Sequence, residues 1–230
     1  MPAKQVQAPL RGSDQPIEPD WETSFATTDD ADVFTVIDAN NDGLTWGWSD
    51  SYDGSMRSEY SANNGNDDWL VTPPIHFLPG RQYIIKFNIR NAATNWVNSF
   101  EVKYGEGDNP AQFTKTLQPT FEPKGDDFET RTYYLTFDEE VTYRFGFHDN
   151  TAEANRYWLF LDDLSIEKGP LSTSPAAVED LEVTPAEQGK LKATVSFMLP
   201  TTTVDGKPLS KVDGVIIKRN GVKVDKAWRL

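Results

Sequence analysis

The chain has 230 residues, enough for one large β domain or for one domain and part of another. Its 36 Asp and Glu against 22 Lys and Arg give a net charge of -14, which repels phosphate backbones and anionic lipid and excludes nucleic acid as a partner. The absence of cysteine excludes disulfides, thiolate metal sites and a Cys nucleophile, and no apolar run approaches the roughly 20 residues needed for direct membrane insertion.

Residues 1–20 hold four prolines and no apolar stretch that could serve in a signal peptide, so they are expected to form a disordered N-terminal tether. From Trp21 to Lys168 the texture is all β. Tyr83, Ile85, Phe87 and Ile89 alternate with polar Lys86 and Asn88, the period-2 pattern of a half-buried strand. Phe100 to Tyr104 repeats the pattern and runs into a turn-rich Gly105 to Pro110 segment. Further strands are predicted over residues 132–137, 141–147 and 157–161, and no window carries a helical stripe. Pro73 and Pro74 lack donors, so they are predicted to end a strand at a sheet edge. The bulky run from Tyr157 to Ile166 reads as a strand buried between two layers. Short strands between Gly, Pro, Asn and Asp argue for a jelly-roll β-sandwich.

Residues 169–177, rich in Pro, Ser and Thr, read as a linker. A second β pattern follows over 178–230, with strands at 178–184, 191–197 and 214–218 and an Asn220-Gly221 hairpin turn into Val222. These roughly 50 residues are about half of an immunoglobulin-like sandwich.

Three blocks point to a known family: Asp68 to Ile75 followed by Pro79-Gly80; Ile37 to Gly43 with Trp46 after it; and Tyr157 to Ile166 as closing strand. Taken in chain order they resemble the cleaved adhesin, or choice-of-anchor J, domain, a MAM-like jelly roll of gingipain adhesins and many Bacteroidetes surface proteins. The tail resembles the first half of a fibronectin type III domain. The resemblance implies an exported, surface-linked protein whose neighbouring domains lie in a longer chain, in preference to a cytosolic one.

Two calcium sites can be read. Asp38, Asn40 and Asp42 stand at alternate positions before Gly43, the first half of a calcium loop. The twelfth position is Ser49, so the usual bidentate Glu is missing, and an Asx-rich turn is the competing reading. The second site comes from the resemblance: related carbohydrate-binding jelly rolls hold a structural calcium between a first-strand Glu and a last-strand Asp. Those positions map to Glu22 and to Asp162 or Asp163, with Asp67 and Asp68 as further candidates. An unpaired carboxylate inside a sandwich is costly, so at least one of Asp162 and Asp163 is expected to reach water, a donor or a cation.

Aromatic residues in polar segments make platforms for sugar rings or partner proteins, and Trp48 and Trp96 are the candidates for ligand binding against a core-packing alternative. His76 and His148, the only imidazoles, are read as structural, and no nucleophile–base or phosphate-loop motif is present. The expectation is a non-catalytic adhesion module that binds a host or matrix protein or a glycan. The alternatives are an accessory domain of a larger secreted protease or glycoside hydrolase, and a structural stalk.

Overall fold

The structure, a computed structural model, describes residues 14–152, 156–187 and 192–228. They divide into two units, the first ending at Gly169 and the second running from Pro170, with Gly80 to Gln82 clustering with the second.

The first unit contains β1 (Trp21–Thr23), α1 (Thr28–Asp32), β2 (Thr35–Asp38), β3 (Trp46–Ser49), β4 (Ser55–Ser58), β5 (Asp68–Val71), β6 (Ile75–Phe77), β7 (Arg81–Asn91), β8 (Phe100–Gly105), β9 (Lys115–Phe121), β10 (Glu129–Thr136), β11 (Val141–Asp149) and β12 (Leu159–Leu171). One sheet runs β10-β7-β12-β4-β3, with β1 also on β12; the other runs β2-β5-β11-β8-β9, with β6 also on β11. The two sheets form the expected sandwich. Its core takes in the residues the alternation assigned inward on β7, with Ile85, Phe87 and Ile89 fully buried, and Phe100, Phe145 and Phe147 join them. Helix α1 is a single turn closed by a Thr27–Asp30 capping box, too short to leave a periodic stripe in the sequence.

Two expectations change on contact with the structure. Pro73 and Pro74 do not lie at a sheet edge: they are buried between β5 and β6, both of which pair with β11. The gap they leave is filled by the N-terminal segment, where Ile17 N–H donates to the Pro74 carbonyl (2.8 Å) and His76 N–H donates to the Ile17 carbonyl (2.9 Å). The part of the tether from Asp14 onward is therefore ordered against the sandwich, and Arg144 donates to Asp14 (3.2 Å); residues 1–13 lie outside the described residues.

The second unit holds two separate hairpins, β13 (Glu179–Pro185) with β14 (Ala193–Met198), and β15 (Val215–Arg219) with β16 (Val222–Trp228). Asn220 and Gly221 both have positive φ (50° and 79°), as an Asn-Gly turn of this hand requires. Strand β12 extends to Leu171, so the segment read as linker begins in strand.

Deleting residues 178–230 is expected to leave the cooperative melt of the first unit intact, since β12 is retained; loss of that transition in calorimetry would show that the units fold together. The contact of the N-terminal segment with β6 also carries a pH dependence. His76 lies between Glu18 (Nδ1, 2.6 Å) and Glu140 (Nε2, 2.9 Å), and these bonds, Glu18 first, raise its pKa above the ordinary imidazole value. Folding then binds a proton here, so this stabilisation is full below about pH 6.5 and fades as pH rises through the folded value. His76→Ala should lower the melting temperature at pH 6 and leave it nearly unchanged at pH 9. An equal effect at both would remove the imidazolium from the account.

Candidate functional site

Two regions of the sandwich gather polar chemistry. The first is an aspartate row at one end. Asp38, Asp68 and Asp149 are in register across β2, β5 and β11, with Asp68 opposite both others. Directly opposed residues share a face, and like charges so placed destabilise a sheet. The row follows the inward-facing positions Val36, Leu70 and Phe147 by two residues, so it continues the core positions beyond the apolar layer.

Each aspartate resolves its charge differently. Asp149 is wholly buried and well supplied: its Oδ2 accepts from Ser58 Oγ and Asn66 Nδ2 (both 2.8 Å), and its Oδ1 from Thr151 Oγ1 (2.6 Å). Burial nevertheless raises its pKa. Asp38 closes the loop predicted from sequence, accepting from Gly43 N (2.8 Å) and Asp42 N (3.2 Å), while Asn40 Oδ1 accepts from Asp42 N and Asp42 Oδ1 accepts from Leu44 N. This turn is left with one buried Asp42 oxygen, Oδ2, that has no partner. Asp68 is the outlier. It is 1 % exposed, and neither carboxylate oxygen has a hydrogen-bond partner. Burial, with Asp149, Asp38 and Asp42 adding repulsion, pushes its pKa up to about 8; the buried Thr45 hydroxyl nearby works the other way.

Asp38, Asn40, Asp42 and Asp68 offer oxygen donors alone, the chemistry that a hard divalent cation takes, and two of them carry orphaned oxygens. A cation there would neutralise the row's repulsion, while the lone pairs of Asp38 can serve both the loop N–H groups and the metal. Among the described residues no group of three or more His, Cys, Asp or Glu side chains is placed to hold a metal ion.

The second candidate calcium set is arranged differently. β1 does pair with β12, placing Glu22 opposite Ser165, but Glu22 is exposed. Asp162 is buried, which raises its pKa to about 6, and its Oδ1 accepts the Asp163 N–H (2.7 Å). Asp163 is exposed at φ 47° and its Oδ2 accepts from Asn88 (2.8 Å). Here protein donors already serve the acids. Asp67, the further candidate beside Asp68, bonds His148 Nε2 (2.8 Å); Glu101 bonds Nδ1 (2.9 Å), and Trp69 stacks on the ring at 3.8 Å. Burial acts to raise the Glu101 pKa, but hydrogen bonds from His148 and Lys103 outweigh it and hold it below the ordinary value.

The second region is aromatic. Trp96, 45 % exposed, meets Tyr157 at 5.3 Å between ring centroids; Tyr157 stacks on Trp158 at 4.4 Å, and Tyr60 meets Tyr157 at 5.3 Å. The run continues through Trp158–Phe160 (6.5 Å) to Phe160–Tyr52 (5.1 Å). Tyr157 and Trp158 precede β12 and are half-exposed, so the closing block is not buried throughout as the sequence implied. Tyr52 is delivered by a tight turn in which Gly54, at φ 114°, lies so close to Phe25 that a Cβ would stand 2.0 Å from its carbonyl oxygen. Trp48 takes no part. It packs against the core, and its Nε1 donates to the Phe25 carbonyl (2.8 Å).

With this geometry in hand, similarity to solved proteins can be weighed. No family model matches the chain, and no curated protein matches it. Among solved structures, the K1 cleaved adhesin domain of Lys-gingipain from Porphyromonas gingivalis W83 superposes with a TM-score of 0.51 at 19% identity, covering 65% of this chain and 98% of that domain. The K2 cleaved adhesin domain of Lys-gingipain gives 0.50 at 17% identity, covering 64% and 98%. The first unit shares the jelly-roll fold of these domains. At these identities the likeness concerns the jelly roll alone. Among the described residues no helix is long and apolar enough to cross a membrane.

Calcium should raise the melting temperature of the protein by several degrees, since a ligand at a hundredfold excess over its Kd stabilises by about 2.7 kcal/mol. Magnesium, which tolerates irregular oxygen cages poorly, should do much less. Asp68→Ala and Asp42→Ala should each abolish most of the shift and Asp163→Ala should leave it. Identical melts in chelator and in millimolar calcium would refute the row as a cation site, and a shift lost only in Asp163→Ala would move the cation to the strand-end set.

Proposed function

We infer that the first unit is a non-catalytic glycan-binding adhesion module, with calcium at the aspartate row as a structural staple. The observation that carries this is the aromatic run Trp96–Tyr157–Trp158 with Tyr60 beside it, exposed at Trp96. Its polar tip is committed internally, Trp158 Nε1 donating to Glu59 Oε2 (2.9 Å). Arg57 lies over the Trp158 ring at 4.7 Å and pairs with the same Glu59, so the ring is fixed on one side. Trp96, exposed and held against Tyr157, is a ring fixed in place that suits stacking on the apolar face of a sugar, where little ordering entropy remains to be lost. A platform of this kind needs no reacting group. Each of the two histidines has both ring nitrogens bonded to carboxylates, the structural role read for them from the sequence.

The cleaved adhesin domains named above are parts of a gingipain, and by that analogy this chain serves as one module of a longer secreted or cell-surface protein. Calcium, on this reading, shapes the end of the sandwich and does not touch the sugar.

Trp96→Ala and Tyr157→Ala should each weaken glycan binding, read first on an array and then by calorimetry, by roughly tenfold, as expected when about 1.4 kcal/mol of ring contact is lost. Their melting temperatures should stay at the wild-type value, while Trp48→Ala should lower the melt by several degrees and spare affinity in the fraction that remains folded. Wild-type affinity in both platform variants would end the glycan reading and leave a host or matrix protein as the partner to test.

A further inference from the structure

The platform ends in a held cation that the stacking role does not use. Arg90, at the end of β7, places its guanidinium over the Tyr52 ring at 4.4 Å and over Phe128 at 5.4 Å, and Tyr52 and Phe128 themselves meet edge to face at 5.3 Å. Its Nε donates to the Asn91 carbonyl (3.1 Å), which fixes the plane of the fork. Arg57, Arg131 and Arg144 have carboxylate partners in Glu59, Glu129 and Asp14; Arg90 has none among the described residues. In a chain of net charge -14, an arginine kept from the surrounding acids and oriented by two rings is an unusual arrangement. A planar fork with its outer N–H groups unpaired matches a carboxylate, which it can hold by two parallel charge-assisted bonds.

We propose that Arg90 recognises the carboxylate of a uronic acid carried as an isolated substituent on an otherwise neutral polysaccharide, whose backbone lies along the Trp96–Tyr157–Trp158 run. The proposal rests on the glycan reading and adds its substrate class. Continuity supports it: Tyr52, which holds Arg90, touches Phe160, and Phe160 touches Trp158, so both parts belong to one run of rings. The net charge narrows the class further. A polymer of uronates or sulfate esters would be repelled by the chain as a whole, whereas one carboxylate in a neutral polymer meets only the local field, the rest being screened beyond about 8 Å at physiological salt.

The test uses the full chain in calcium with three polymers: a xylan bearing scattered glucuronate groups, the same xylan after carboxyl reduction, and polygalacturonate. The wild type should bind the first about tenfold more tightly than the second, and the third more weakly than the first. Arg90→Lys keeps the charge but loses the fork, and should bind the first polymer only as well as the second, with an unchanged melt; Arg90→Gln should do the same. Equal wild-type affinity for native and reduced xylan, or full affinity in Arg90→Lys, would overturn the proposal. If Trp96→Ala still weakened both xylans in that case, the platform would stand without the acid-specific contact. Binding of polygalacturonate above the decorated xylan would overturn the isolated-uronate class, and no binding of any polymer would remove both readings together.

Discussion

Strand β12 has to satisfy different neighbours along its length, and the rest of the first unit is arranged around that constraint. One edge lies on β7, while the other pairs first with β4, through Leu159 to Leu161, and then with β1, through Leu164 to Ile166. Between the two partners the strand must shift phase. Leu159 and Leu161 face the core before the change and Leu164 and Ile166 after it, so one extra residue has to be absorbed. Asp162 and Asp163 absorb it, Asp163 in the left-handed region and its N–H turned back onto the Asp162 carboxylate. That is the behaviour of a β-bulge, and it explains why two acids interrupt an apolar run without a cation being required of them. Asp, with Asn, is among the residues that tolerate such a φ most readily.

The aspartate row represents the opposite situation, in which the ladder itself imposes the conflict. Extending β2, β5 and β11 by one inward position past the apolar layer puts three carboxylates side by side. Asp149 is stabilised by neutral donors and Asp38 by loop N–H groups, and these donors are then used up. Asp68, between them, is left with burial and repulsion. A carboxylate in that position takes either a proton or a cation.

How much of this was legible in the sequence follows from the range of the interactions. Local periodicity was enough for the inward faces of β7, β8 and β11, and the spacing of Asp38, Asn40, Asp42 and Gly43 was enough for the shape of their loop. The orphaned state of Asp68 was not legible, because it depends on register with residues 30 positions before it and 81 after it. Trp48 and Trp96 look alike as letters in polar segments; what separates them is that Trp48 alternates with core residue Trp46 on a strand, a signal that was present and outweighed by the surrounding Gly and Asp. Tyr157 and Trp158 were assigned to the buried strand because apolar density does not show where pairing begins. Arg90 gave no signal, since its two rings come from a turn and from the approach to β10.

The two regions are joined by hydrogen bonds. Asp149, at the side of the row, holds Ser58 and Asn66; Asn66 also donates to the Glu59 carbonyl (3.0 Å), and the Glu59 side chain holds Trp158 Nε1 and Arg57. The residue that fixes the platform's central indole therefore sits one step along the chain from a ligand of the buried Asp149. Relief of the repulsion on Asp68 acts on the same end of the sheet from which Asn66 and Ser58 reach across. Repulsion left unresolved at Asp68 would loosen β5 against β11 and, through Asn66 and Glu59, the support under Trp158.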